Sequence, residues 1–281
     1  MKFIRKRKII EYSIFNVFNL FIIFLFLFPI ILAINTAFKT PLETANSVLA
    51  FPSSIYFKNF TEGMRKSNFT QSLINSVTVT FPSVVLIVFF SSMSGYSIAR
   101  NGHWSKLIKS LDKVYLSSLM IPFQILMIPV YKMFKNLGLL NSLFGMILMF
   151  TGNSIAYATF LYVGFIKSIP LEVEDAATID GCTPFQTFRK IVFPLLAPVS
   201  ATVAALHIMW LWNDFNISII LLQKDTVRTL TVKQYYFFGA YSAEYGMAFA
   251  AAILSMMPVI ICFLFMQRYL VAGISSGAIK N

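Results

Sequence analysis

Charge is scarce in this sequence. Of its 281 residues only 12% are Asp, Glu, Lys or Arg, while 57% are hydrophobic. Soluble domains carry about 25% charged residues, so the shortage excludes a surface that is mostly wet. Acids are the rarer sign, with 11 Asp and Glu against 23 Lys and Arg. Cysteine is nearly missing as well. Cys182 and Cys262 fall in a cytoplasmic loop and a membrane span on the reading below, which argues against a disulfide and, without a His/Cys cluster, against a metal site. The two histidines, His103 and His207, stand far apart, and neither H-E-x-x-H nor the phosphate-binding G-x-x-x-x-G-K-[ST] occurs. The second absence excludes the chain as an ATPase in its own right. His103 reads as a loop residue and His207 as a helix-packing residue, so no constellation for enzymatic catalysis is left.

What the sequence has in plenty is apolar length. Mean hydropathy is +0.73, and there are 30 Phe. A membrane-crossing helix needs about 20 mostly apolar residues. Six segments meet that length, roughly 14–37, 72–98, 111–133, 143–166, 199–222 and 246–270, with turn-forming joints such as "RNGHWSK" and "KNLGLLNS" between them. The expectation is an all-α membrane protein with six transmembrane helices. Its parts would be a basic N-terminus over 1–13, a six-helix domain over 14–270 and a tail over 271–281.

The net charge of +12 raises nucleic acid as a partner, but its placement argues otherwise. Lys2, Arg5, Lys6, Arg7 and Lys8 precede the first apolar run, the pattern of a cytoplasmic flank. That run is about twice the 7–15 residues of a signal-peptide core, and no A-x-A site follows it, so it reads as an uncleaved anchor. With the N-terminus inside, cytoplasmic segments hold about 14 Lys and Arg and external ones about 9. Both termini, and the stretch from Lys167 to Pro198, are thereby expected in the cytoplasm. Pro29, Pro82, Pro122, Pro129 and Pro258 sit within spans. They kink helices around a pathway, or they are simply tolerated in membrane helices; both readings stand.

One interval gathers the scarce acids. "IPLEVEDAATIDGCTPFQTFRKIVFPLLAP" (Ile169–Pro198) holds Glu172, Glu174, Asp175 and Asp180, four of the 11. Pro170 suits a helix start, where no backbone donor is needed. The first three acids then lie near the positive end of the helix dipole. Ala176 and Ala177 leave a small-residue patch, and Gly181 can take the left-handed conformation that ends a helix. Thr183, Pro184 and Gln186 read as a capping box starting a second helix that stops before Pro194. The pattern predicts a helix–turn–helix knob facing the cytosol. Interfacial helices lying on lipid are usually basic on the polar face, so acids here favour a protein partner.

At these residues the sequence resembles the EAA loop of ABC-transporter permeases, E-A-A-x-x-x-G followed by I-x-L-P. Asp175-Ala176-Ala177 stands at Glu-Ala-Ala, Gly181 at the glycine, and Ile191–Leu195 at the end; Asp175 shortens the family's acid but keeps its charge. "NSVTVT", "YSIARNGHW", "MIPVYKMFKNLGLLNS" and "LWNDFNISIILL" extend the likeness to the sugar-class permeases, and the tail Gly273, Gly277, Ala278, Lys280 is similar to G-x-x-x-G-A-x-K in one of their two types. The resemblance implies the ABC importer permease fold in a bacterial plasma membrane. It implies that Glu174, Asp175, Ala176, Ala177, Asp180, Gly181 and Pro184 form a loop docking in a groove of an ATPase subunit. Two such subunits would carry ATP and magnesium, and this chain would bind no cofactor. It further implies a heterodimer with a second, related permease, and a sugar delivered by an extracytoplasmic binding protein.

Polar residues inside spans are costly facing lipid and belong in a bundle interior or cavity. Asn75, Gln124, Asn153, Asn213, Asp214 and Asn216 are such residues. The densest cluster, "WLWNDFN" with Trp210, begins about 20 Å up the fifth span at 1.5 Å per residue. An aromatic face stacks on a sugar ring while Asn and Asp bond its hydroxyls; alternatively these groups serve as glue between helices. Asn75, Gln124, Asn153, Trp210, Asn213 and Asp214 are the candidate pathway residues. A permease for a non-sugar solute remains open. A proton-coupled secondary transporter would more often show related halves and buried ionisable groups, and the halves here do not match.

Overall fold

Long apolar runs become long helices wherever no proline or polar joint interrupts them. The computed structural model describes residues 2–101, 105–240 and 244–278, with side chains described for 15–101, 105–239 and 244–267. Helices, and no strand, occur among the described residues. In chain order they are α1 (Lys2–Ala37), α2 (Pro41–Asn46), α3 (Lys58–Lys66), α4 (Phe69–Asn101), α5 (Lys106–Ser118), α6 (Phe123–Asn136) and α7 (Leu143–Ile166). After them come α8 (Glu172–Ile179), α9 (Pro184–Thr187), α10 (Phe193–Leu195), α11 (Ala197–Trp212), α12 (Asn216–Leu221), α13 (Leu230–Ala240) and α14 (Tyr245–Ala278). His103 and Lys280 lie outside the described residues, and so do the side chains of Gly273, Gly277 and Ala278.

Four helices are long and apolar enough to cross a membrane: α1, α4, α7 and α14. Two bent pairs raise the number to six if each pair is one span. The expected straight span at 111–133 is one of them, α5 and α6 meeting at 108°. Pro122, held extended at φ −61°, ψ 135°, ends any continuation of α5. The second bend, 71°, separates the α9–α10 helix from α11. The expected span at 199–222 is likewise interrupted, because α11 ends at Trp212 and α12 begins only at Asn216.

The chain divides into two compact units, Met1–Phe69 with Gln234–Ser255, and Thr70–Lys233 with Met256–Asn281. In the first, α1 is apolar all round, with Phe15, Phe18, Phe21, Phe24 and Phe26 all more than half exposed. Such a helix faces lipid or another chain. Beyond it the backbone is tied by polar groups. Lys39 is fully buried, its Nζ donating to the carbonyls of Ser47 (2.9 Å) and Val48 (2.7 Å). Thr40 and Glu43 form a capping box for α2. The hydroxyl of Ser53, then the backbone N–H groups of Thr40 and Ser53, hold the Glu43 carboxyl down to about 2. A cleft of about 550 Å³ in this unit carries both signs of charge, with Lys58, Glu62, Arg65, Lys66 and Glu244.

In the second unit α4, α7 and α11 share one core. Small residues let the backbones come close, as in other membrane bundles. The Oγ of Ser83 donates within α4 to Val79 (2.6 Å), and that of Ser91 reaches the Ile155 carbonyl on α7 (3.3 Å). Gly95 marks the tightest approach: a Cβ there would meet the Cβ of Tyr162 at 2.6 Å. Tyr162 is fully buried and donates to the Ser200 hydroxyl at 2.8 Å, tying α7 to α11.

Candidate functional site: the acidic knob and the mid-span break

The knob is built by local signals. Glu172, Glu174 and Asp175 occupy the first turn of α8. Gly181 closes that helix at φ +81°. Its N–H donates to the Thr178 carbonyl and that of Cys182 to the Ala177 carbonyl, both at 3.0 Å, the paired bonds of a Schellman ending. Thr183 then caps α9. Its hydroxyl accepts from the Gln186 N–H (3.3 Å), and its own N–H donates to Gln186 Oε1 (2.8 Å), with Pro184 in the first turn. The second helix does not stop before Pro194. It passes into a π turn over Phe188–Val192, where the Phe193 N–H reaches back to the Phe188 carbonyl, and continues to Leu195. A proline N lacks the donor for the carbonyl one turn back, and the wider turn absorbs the mismatch.

Burial divides the expected coupling residues. Ala176, Asp175, Asp180, Gly181 and Pro184 are exposed, but Ala177 is 3% exposed and packs inward. The small-residue patch is therefore half as wide as the sequence suggests: one alanine faces out, its neighbour fills the knob's interior. Ile179 (86% exposed) and Phe185 (59%) carry the apolar surface instead. Glu174 is not a rim acid either. Its side chain is 11% exposed and pairs with Arg100 at 2.7 Å, while the Tyr96 hydroxyl donates to its other oxygen at 2.7 Å. Arg100 also donates to the Ile169 carbonyl at 3.0 Å. Sequence reasoning missed Tyr96 and Arg100. The available signal was their i, i+4 spacing at the end of the second span, which puts them on one helix face.

The mid-span candidates separate in the same way. Asn75 is 1% exposed and fully engaged: its amide donates to the carbonyls of Thr226 and Arg228, both at 3.0 Å, and accepts from Gln71. It pins the segment after α12. Asp214 caps α12, accepting from the Ser218 N–H (2.9 Å) and hydroxyl (2.8 Å). Asn213 is exposed and bonds back to the Met209 carbonyl at 2.8 Å. Gln124 is exposed at the start of α6. Trp210 is 49% exposed and packs on Tyr157 (ring centroids 5.1 Å) and His207 (5.3 Å). Asn153, exposed, lies one turn before Tyr157 on α7. The two helices α7 and α11 thus share an open aromatic face with an amide one turn away on α7. His207 is 1% exposed, its Nδ1 2.8 Å from the Val203 carbonyl, so it packs within the bundle. Among the described residues no group of three His, Cys, Asp or Glu side chains could hold a metal ion.

Comparison with known proteins fits this geometry. Residues 65–276 match the family model for the binding-protein-dependent transport system inner membrane component. The chain is 35% identical to the multiple sugar-binding transport system permease protein MsmG of Streptococcus mutans, over 91% of this chain and 92% of that one. It is 36% identical to the melibiose/raffinose/stachyose import permease protein MelC of Bacillus subtilis, over 90% and 91%. Among solved structures, a bacterial ABC transporter chain involved in import of the acidic polysaccharide alginate superimposes with a TM-score of 0.79. That match has 25% identity and covers 92% of this chain and 96% of that one.

Proposed function

The chain belongs to the family of binding-protein-dependent transport inner membrane components, and from that premise we propose that it forms half of the translocation pathway of an ATP-driven sugar or oligosaccharide importer. It is a multi-pass cell-membrane permease subunit and not an enzyme. In this reading α5 with α6 makes one bent span and α11 with α12 another, giving six over 14–270, with the N-terminal 13 residues, the loop 167–198 and the tail 271–281 in the cytoplasm. A second, homologous permease completes the pathway, and the exposed apolar side chains of α1 give it a surface. Two ATPase subunits hold ATP and magnesium. An extracytoplasmic binding protein delivers the solute, and the cleft around Lys58, Glu62 and Arg65 offers both signs of charge to such a partner.

One observation carries the coupling role. Ile179 and Phe185 stand more than half exposed on either side of the Gly181 turn among the described residues. Large apolar side chains on a cytoplasmic knob mark a protein contact. Asp175, Ala176, Asp180 and Pro184 surround that contact. The sugar assignment rests on the named relatives and on the Trp210–Tyr157 face with Asn153, where a ring can stack and hydroxyls can bond. Ile179→Asp should leave the chain in the membrane and abolish co-purification of an ATPase; unchanged recovery would remove the docking role. Uptake of labelled oligosaccharides by vesicles bearing the whole complex tests the solute class. A complex that transports no member of a panel of α-galactosides, maltodextrins and uronic-acid oligomers would overturn it.

A further inference from the structure

A buried ion pair ties the knob to the bundle. The Arg100 guanidinium holds Glu174 of α8 at 2.7 Å and the Ile169 carbonyl, in the turn before α8, at 3.0 Å. Tyr96, one turn earlier on α4, takes the second oxygen of Glu174 at 2.7 Å. Both charged side chains are about a tenth exposed, at 12% and 11%. Just before Tyr96, Gly95 brings α4 against Tyr162 of α7 with no room for a methyl group. The end of α4 is thus rigidly seated on one side and tied to α8 on the other. A cavity of about 390 Å³, lined by Tyr96, Arg100, Glu174, Thr178 and Cys182, flanks the tie.

Apolar packing alone would anchor a static knob. A charged fork between long side chains does something further: it keeps its bonds while the two elements rotate, because the guanidinium offers several donors in a plane. The neighbouring cavity leaves space for that rotation. We infer that Arg100, Glu174 and Tyr96 are positioning residues of a transmission joint, through which displacement of α8 by the ATPase is delivered to α4 and so to the pathway. This rests on the knob being the ATPase contact.

The test uses the complete transporter purified through a tag on this chain and reconstituted in lipid nanodiscs. Four quantities are read: ATPase subunits recovered, basal hydrolysis, hydrolysis with solute-loaded binding protein, and uptake in vesicles. Arg100→Lys keeps the charge but not the fork, and Glu174→Gln keeps the shape but not the charge. Each should leave ATPase recovery within about twofold of wild type and cut the stimulated-to-basal ratio at least about tenfold, the equivalent of one lost charge-assisted hydrogen bond. Tyr96→Phe, which removes a single hydroxyl and threatens folding least, should cut the ratio about threefold. The double variant Arg100→Lys/Glu174→Gln should be no worse than either single one, as for members of one unit. An unchanged ratio in all three single variants overturns the joint, and so does loss that merely tracks lost ATPase recovery. Wild type recovered without any ATPase would instead sink the docking reading, and the two failures are therefore distinct.

Discussion

At its N-terminal end α4 holds the segment after α12 with neutral groups. Asn75 donates to the carbonyls of Thr226 and Arg228, and Ser76 Oγ accepts from the Leu230 N–H at 2.9 Å. At its C-terminal end, 25 residues and about 37 Å further on, the same helix holds α8 with an ion pair. Burial explains the choice. Asn75 and Ser76 are 1% and 2% exposed, where a charge would lose its hydration with little in return. Arg100 and Glu174 keep about a tenth of their surface in water beside an open cavity, so the pair costs less to form. The neutral end is built to stay; the charged end can exchange partners with water and tolerate motion.

The largest effect tests the charged end. Arg100→Ala strands the Glu174 carboxylate, and breaking a buried pair from one side costs roughly 3–5 kcal/mol, toward the lower figure here because the site is not fully dry. The melting temperature of the purified chain should fall by several degrees. Replacing both residues by Met should recover most of the loss, since an apolar pair of similar volume needs no hydration. Equal damage in the double variant would show that the site needs charge for its stability.

Next in size is the neutral end. Asn75→Leu takes the donor from the Thr226 and Arg228 carbonyls, whose bonds to it are part-buried, at about 1–3 kcal/mol in all. The same melting measurement applies, and raising the salt should not change the difference from wild type, whereas salt should narrow the Arg100→Ala difference slightly, a pair so little exposed being weakly screened. A salt-dependent Asn75→Leu difference would erase the contrast between the two ends.

A third pair of variants divides the knob itself. Ala177 is buried, so Ala177→Leu overpacks its interior by about 1–3 kcal/mol. Ala176 is exposed, so Ala176→Leu should change stability by under about 0.5 kcal/mol yet weaken ATPase co-purification. Stability loss in both would mean that the outward face is packed from within.

What the sequence disclosed and what it hid follow the same division between local and distant causes. The Gly181 turn and the Thr183–Gln186 box were legible because every partner lies within five residues. The knob's position between spans was legible from hydropathy. The bends at Pro122 and Leu196 were not, since a proline within an apolar run permits a kink without fixing its angle. The inward tie of Glu174 was hidden because its partner Arg100 is 74 residues away. The partners of Asn75 were hidden for a similar reason: a buried amide advertises a need for partners, and only the fold says that two backbone carbonyls 151 and 153 residues on meet it. Trp210 kept its exposed face, but Tyr157 beside it gave no polar signal in an apolar run.

A further modest effect is expected at Asp214, an acid within the fifth apolar segment. Its carboxylate accepts from the Ser218 N–H and hydroxyl, and its backbone carbonyl accepts from the Thr231 hydroxyl at 2.7 Å. Those are the bonds of a cap and a brace, and losing a cap of this kind costs about 1 kcal/mol. Asp214→Ala should lower the melting temperature slightly and reduce uptake only as far as the amount of folded complex falls. Asp214→Asn, which still accepts a bond from the same N–H, should be nearer to wild type in both. A pathway role predicts the opposite pattern: Asn would leave stability untouched and change the concentration of sugar giving half-maximal uptake. Measuring melting and uptake on the same preparations separates the two, and a shift in half-maximal concentration with Asn would return Asp214 to the translocation surface.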